Sequence, residues 1–277
     1  KSKLFSIRKS CWTLFVLDGS FSEAIFFRAK PILPPKNEFW ADPFVIKHDN
    51  KNYIFFENYS YEYKKGKISC GILKENKLIQ IKDVLRKDYH LSYPFVFTEE
   101  GNYYMIPETS DNHRLEIYIC KSFPYKWELY STAFEGEMIL DCTYYIDKSN
   151  KKWLFLNKKT DNSDSCSDLY IYSIDSLKLN HIEPHLLNPV ITNCNVARCA
   201  GPIFEEAGKI FRPSQINNCG IYGRGINLNE IKELSLSKYK EDNVIQCYPN
   251  FINKTIGMHH MHQVKDFFIA DLCFNSI

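Results

Sequence analysis

The chain alternates short runs of aromatic and β-branched residues with polar turns, and it does so on a repeating plan. Phe39-Trp40-Ala41-Asp42-Pro43-Phe44-Val45-Ile46 and Asn52-Tyr53-Ile54-Phe55-Phe56-Glu57 form the first pair, joined by a polar stretch from Lys47 to Lys51. Such residues favour a pleated, half-buried surface, so the pair predicts two adjacent strands. Gly66 to Leu73 and Leu78 to Val84 predict a third and a fourth.

The plan then recurs. His90-Leu91-Ser92-Tyr93-Pro94-Phe95-Val96-Phe97 and Asn102 to Glu108 repeat the first pair, sharing Pro-Phe-Val and again ending on Glu, with Leu115 to Cys120 and Trp127 to Ala133 behind them. A third cycle runs through Ile139 to Ile146, Lys152 to Asn157 and Leu169 to Tyr172. A fourth opens at Cys199 to Phe204 and continues through Lys209 to Gln215, and a fifth at Gly257 to Val264, then Asp266 to Ala270. Units of about four short strands, starting roughly every 50 to 60 residues, predict an all-β fold, a five-bladed β-propeller. The competing architecture is a β-sandwich whose hairpins are alike by coincidence. Helical periodicity is scarce; Leu228 to Ser237 reads as a turn of helix or as a strand followed by a loop. A propeller ring must close, and the strand near residues 11–17 is expected to complete the last blade, making residues 1–277 a single domain.

Composition narrows the function classes. Of 277 residues, 25% are charged and 44% hydrophobic, as in ordinary soluble domains. The 20 Phe, 18 Tyr and 4 Trp suit strands and also sugar-binding clefts. A formal charge of +2 with no long basic run argues against a nucleic-acid partner. No apolar stretch approaches the roughly 20 residues of a membrane span, and Lys1 to Phe5 offers no signal-peptide core. The ten cysteines are scattered, with no zinc-ligand spacing, so reduced thiols acting as small hydrophobes are expected. That favours the cytoplasm, or the secretory-pathway lumen if an anchor has been removed. No cofactor is expected.

The inner strand of each blade lines the central channel, so equivalent positions converge there. Asp42, Tyr93, Asp141, Gly201 and His260 stand at the starts of these strands, and Glu57 and Glu108 at the ends of second strands, where Asn157 and Gln215 follow in later blades. Repeated scaffold positions thus carry different polar groups, the pattern of a site built by breaking symmetry. Glycosyl chemistry needs two carboxyl groups of unlike protonation, and crowding in a desolvated cleft separates their pKa values. Asp42, Glu108 and Asp141 are the expected catalytic centre; Asp42 and Asp141 could instead cap turns. Glu57, His90 and His260 are expected to bind substrate, with Trp40 and Tyr93 as stacking surfaces. Arg198 and Arg212 have the fork geometry for a carboxylate or phosphate, or for interblade salt bridges. His259-x-x-His262 and His260-x-His262 have metal-like spacings, but on a strand His260 and His262 would share one face with no clear carboxylate partner, so no metal is expected there. Asp161 to Ser165 resembles a calcium loop in composition only and reads as a solvated turn.

Phe39 to Phe44, His90 to Phe95, Ile106-Pro107-Glu108, Gly201 to Phe204 and Phe211-Arg212-Pro213-Ser214-Gln215 together resemble the propeller domain of the glucosamine inositolphosphorylceramide transferase family. Tyr222 to Ile226, Asn229 to Ile231 and Gly257 to His260 fit the same pattern, which adds Tyr222 to the expected substrate contacts. In plant members of that family the domain precedes a separate nucleotide-sugar-dependent transferase domain, and no such second domain is expected within residues 1–277. Such domains are also distantly similar to five-bladed glycosidases of the arabinanase, invertase and levansucrase type. The resemblance implies a catalytic carboxylate at the Asp-Pro of the first blade, matched by Asp42, and a second in a middle blade, matched by Asp141. The glycosidase acid is a Glu that follows this second Asp, whereas Glu108 precedes Asp141.

The expectation is therefore a carbohydrate-active propeller acting at a glycosidic bond of a surface glycan or glycolipid. Two alternatives stay open: a non-catalytic glycan-binding module accompanying a separate glycosyltransferase, and a protein-binding scaffold.

Overall fold

In a computed structural model, which describes residues 10–160 and 164–275, the chain forms five antiparallel sheets arranged in a ring, a five-bladed β-propeller. The termini and part of the turn read at Asp161 to Ser165 lie outside the described residues. Blade I comprises Glu38–His48, Lys51–Ser60, Lys65–Lys74 and Lys77–Leu85, from the channel outward. Blade II comprises Ser92–Glu99, Asn102–Glu108, Leu115–Ser122 and Lys126–Ala133. Blade III comprises Met138–Ile146, Lys152–Lys159, Asp168–Ile174 and Ile182–Pro184. Blade IV comprises Phe204–Glu206, Lys209–Ile216, Gly225–Leu234 and Tyr239–Cys247.

Blade V joins the two ends of the chain. Its second strand, Phe267–Asn275, pairs along its whole length with Ser10–Asp18, which pairs in turn with Lys30–Ile32. Thr255–Gly257 and Met261–Gln263 lie on its channel side.

Burial follows from position in the ring. The second strands are covered on both faces by neighbouring blades, so they need apolar residues without alternation. Ile54, Phe55 and Phe56 are fully buried, as are Leu154, Phe155 and Leu156. The outermost strand Lys77–Leu85 is half solvated and carries charges among its apolar residues. At the hairpin turn Asp49-Asn50 both residues take positive φ, 46° and 55°, matching the right-handed twist of the flanking strands.

Two inner strands depart from the expected form. In blade IV only Phe204–Glu206 pairs regularly, and Cys199 makes a single bridge to Ser214. Gly201, at φ 137°, and Pro202, which lacks an amide hydrogen, interrupt the ladder between them. In blade V the amides of His259 and His260 turn away from the ladder to Asp271, splitting the strand in two. The segment Leu228 to Ser237 is strand as far as Leu234 and then a turn.

Candidate active site

The inner strands of blades I, II and III share one irregularity. Their pairing slips between Ala41 and Phe44, between Ser92 and Phe95, and between Leu140 and Thr143. At the slip stand Asp42, Tyr93 and Asp141, with φ of 50°, 42° and 43°. Left-handed residues other than glycine persist only where their surroundings hold them, and each of these amides is held. Asp42 N donates to Asp271 Oδ2 at 3.2 Å, Tyr93 N to Asp42 Oδ2 at 3.1 Å, and Asp141 N to Glu108 Oε2 at 3.4 Å. In all three the acceptor comes from the preceding blade. Gly201 takes this place in blade IV, and its amide donates to the Tyr93 hydroxyl at 3.0 Å. The carboxylates therefore link blade to blade as well as facing the channel.

Above these residues opens a pocket of about 190 Å³. That is room for about six waters at ~30 Å³ each, or for one sugar ring. Every blade contributes to its wall: Asp42 and Glu57 from blade I, His90 and Glu108 from blade II, Asp141 from blade III, Arg198 and Tyr222 from the segments flanking strands of blade IV, and Trp12 and His259 from blade V. A larger groove of about 890 Å³ runs past Lys65, Lys67 and Arg86, but it lacks the buried cluster of ionisable groups that lines the smaller pocket.

The charges are arranged in two groups. Arg198 places Nε 2.6 Å from Asp141 Oδ2 and Nη2 3.5 Å from Glu108 Oε2, and its guanidinium lies 5.3 Å from the Tyr222 ring centre. Gln215 Nε2 adds a bond to the same Asp141 oxygen at 3.2 Å, and Ser110 donates to Glu108 Oε1 at 2.8 Å. Opposite, His259 lies between two carboxylates, Nδ1 2.7 Å from Asp271 Oδ2 and Nε2 3.6 Å from Asp42 Oδ1. His90 Nε2 approaches Glu57 Oε1 at 3.3 Å.

Burial dominates the titration of these groups. It pushes Asp42 up to about 7, with Asp141 and Asp271 adding to the rise and His259 opposing it. Glu57 is held well above the carboxylate range by burial and by Asp42 and Glu108, and Glu108 by burial and Asp141. Burial works against the charge of His259, but Asp271 and Asp42 outweigh it and raise its pKa. Carboxyls kept protonated near neutral pH in a cleft are characteristic of sites that do proton chemistry.

Among the described residues, Asp42, His259 and Asp271 are the only grouping whose donor atoms, all within 4.8 Å of one another, have the makings of a metal site. Its contacts are those of an ion-pair chain. Asp271 Oδ1 accepts the amides of His259 and His260 at 2.9 and 3.0 Å, while Oδ2 faces His259 Nδ1 and the Asp42 amide.

Seven of the residues singled out from the sequence meet in the pocket: Asp42, Glu57, His90, Glu108, Asp141, Arg198 and Tyr222. Four do not. Trp40 is buried on Phe56 in the apolar core between blades V and I and offers no face to a ligand. Tyr93 is fully buried, its hydroxyl spent on Thr143 and Gly201. Arg212 is closed off by Glu241, at 2.8 and 2.6 Å, within its own blade. His260 is wholly buried against Phe44 and Tyr93 beneath the pocket. Its neighbour His259 faces the pocket instead, because the break in blade V shifts the alternation by one residue. Trp12 and Asp271 were not singled out, and His259 was noted only for its metal-like spacing to His262, not as a pocket residue. A lone acid inside the apolar run Phe267 to Phe274 was the available signal for Asp271.

The family described as glucosamine inositolphosphorylceramide transferase 1, N-terminal, matches residues 32–261. The chain belongs to this family. Glucosamine inositolphosphorylceramide transferase 1 of Oryza sativa subsp. japonica is 30% identical over 213 residues, and that of Arabidopsis thaliana 30% identical over 212. Each alignment covers 75% of this chain but only 28% and 27% of the relative, so the chain spans about a quarter of these proteins' length. Among solved structures, an exo-β-1,3-galactanase from Clostridium thermocellum superposes with a TM-score of 0.58 at 14% identity, over 81% of this chain and 51% of that one. An α-L-arabinanase mutant from Cellvibrio cellulosa gives 0.57 at 13% identity, over 84% and 86%. These likenesses establish the propeller fold. The family is the one that the motifs around Asp42, Tyr93 and Gly201 resemble.

Proposed function

We propose that this member of the family binds one sugar residue of a surface glycan or glycolipid in the acidic pocket and acts at its glycosidic bond. In this reading Glu108 is the acid, protonated where the leaving oxygen needs a proton, and Asp42 is the base or nucleophile across the pocket. Asp141, fixed by Arg198 and Gln215, stabilises developing positive charge on the sugar. The observation that carries the reading is the pairing of a strongly raised Glu108 with an Asp42 poised at about 7 in one sugar-sized pocket walled by Trp12 and Tyr222. The plant relatives are named for transfer to a sphingolipid headgroup, which supports a glycolipid ligand. Asp42→Asn is expected to abolish release or transfer of sugar from inositolphosphorylceramide glycolipids while leaving binding intact; full activity in that variant sinks the catalytic assignment.

One observation favours a second reading. Arg198 already neutralises Asp141 and reaches Glu108, an arrangement that also serves a binding module working beside a separate glycosyltransferase. Wild-type protein that retains glycolipid in a pull-down yet turns over none of it would decide for the module.

A further inference from the structure

The side of the pocket opposite Arg198 holds a chain of three buried groups. Asp271 is fully buried, and its two oxygens accept the backbone amides of Asp42, His259 and His260. The carboxylate is therefore fixed by the fold. It faces His259 Nδ1 at 2.7 Å, which turns Nε2 towards Asp42. The imidazole cannot swing away. Trp12 lies against one face, ring centres 3.9 Å apart, and a Cβ on Gly223 would come within 2.9 Å of His259 Cβ. On the receiving side, Asp42 Oδ2 is taken by the Tyr93 amide, so Oδ1, 3.6 Å from His259 Nε2, is the oxygen left to face a ligand.

We propose that His259 and Asp271 are positioning residues for Asp42: Asp271 fixes the ring and its charge, and the imidazolium, with Nε2 3.6 Å from the free oxygen of Asp42, favours the ionised form of that carboxyl. This rests on the proposed role of Asp42, but the geometry makes a claim of its own about ionisation. The chain separates Asp42 from Glu108. Both are buried carboxyls at the start or end of equivalent hairpins, yet only Asp42 faces an imidazolium, whereas Glu108 meets Arg198 and shares it with Asp141. The other ionisable groups whose charge reaches Asp42 are Asp141 of blade III and Asp271 of blade V, while Glu57 of blade I and Tyr222 of blade IV respond to Asp42. Those reaching His259 are the same Asp271, Asp42 and Asp141, with His260 adjoining it. Of these, His259 is the cation.

The test is a ¹³C-carboxyl and ¹⁵N-imidazole NMR titration of the whole chain, with Asp42 assigned by its loss in Asp42→Asn and metals removed by chelation. In the wild type His259 should carry protons on both ring nitrogens at pH 7, and in His259→Gln the Asp42 carboxyl should titrate about one unit higher or more, a tenfold weaker acid. In Asp271→Asn the imidazole should lose its second proton at lower pH than in the wild type. An unmoved Asp42 titration in a folded His259→Gln overturns the proposal. So does a wild-type His259 whose Nε2 is unprotonated at pH 7, a measurement that needs no variant. The same holds if stoichiometric zinc or calcium survives chelation on these groups, since a metal would then hold the Asp42 oxygen. None of these readings needs turnover, so they fail separately from the glycosidic role of Asp42, which the Asp42→Asn assay decides.

Discussion

Arg198 Nε lies 2.6 Å from Asp141 Oδ2, and both side chains are almost wholly removed from solvent. The pair spans the boundary between blades III and IV, and the same guanidinium reaches Glu108 of blade II. A buried ion pair of this kind adds little net stability compared with an apolar pair, but breaking it from one side is expensive.

Replacing Arg198 by Met should therefore cost about 3–5 kcal/mol at pH 8, where Asp141 is left charged and uncompensated. The loss should shrink at pH 4, because carboxyls without their cation take up protons more readily. Denaturant melts at the two pH values measure this. An equal loss at both would mean that shape, not charge, is what Arg198 contributes.

The contribution of Asp42 to stability should fall as pH rises from about 4 to beyond 7, against an opposite contribution from the buried His260 and His262, whose pKa values are lowered. The unfolded chain gives up the Asp42 proton near its ordinary value of 3.8, whereas the folded protein keeps it to about 7. Across that interval the folded state binds more protons at Asp42, so this contribution is full below the lower value and is lost as pH rises through the upper one. Glu57 and Glu108 are raised too and act in the same direction. His259, also raised, adds stability that disappears at the high end. Asp42→Asn keeps an oxygen for the Tyr93 amide but removes the acid, so the decline should become shallower and Tm at pH 8 should rise. A lower Tm at pH 8 would show that the ionised Asp42 is favoured by the fold.

Gly201→Ala should be among the most damaging single changes in the chain. The residue has φ 137°, and a Cβ there would lie 1.8 Å from the Met261 carbonyl oxygen of the neighbouring blade. Backbone strain and forced separation of blades IV and V should together cost at least about 3 kcal/mol. Loss of soluble expression or a steep drop in Tm is the expected readout, and a Tm within a few degrees of wild type would contradict the contact.

Much of this was legible from repetition. Asp42, Tyr93, Asp141 and Gly201 could be placed at equivalent positions because each opens an inner strand, with Pro following directly in three of them, and the shared left-handed backbone bears that equivalence out. What repetition could not convey was the direction of side chains where the ladder breaks. Two half-strands flank Met258 to His260, so the strand alternation that pointed His260 into the channel does not hold there. Trp40 fell to a similar error, since it lies before the slip at Asp42 and faces the core between blades V and I. Asp271 comes from a strand whose apolar sequence announces only burial, and its partners lie 229 and 12 residues away. Distances of that kind are fixed by ring closure, not by local pattern.

Arg212 shows how far a plausible sequence motif can stand from a ligand. Its guanidinium is pinned by Glu241 and by the carbonyls of Val196 and Ala197, at 2.6 and 3.4 Å, so it anchors the segment that delivers Arg198 to the pocket. Arg212→Ala should cost about 3–5 kcal/mol by stranding Glu241, and Glu241→Ala added to it should restore part of that loss. Glycolipid binding, measured well below the variant's Tm, should weaken far less than in Arg198→Met. If Arg212→Ala kept its stability and lost binding, the residue would be a substrate clamp after all, and the ion pair with Glu241 would have to open when a ligand arrives.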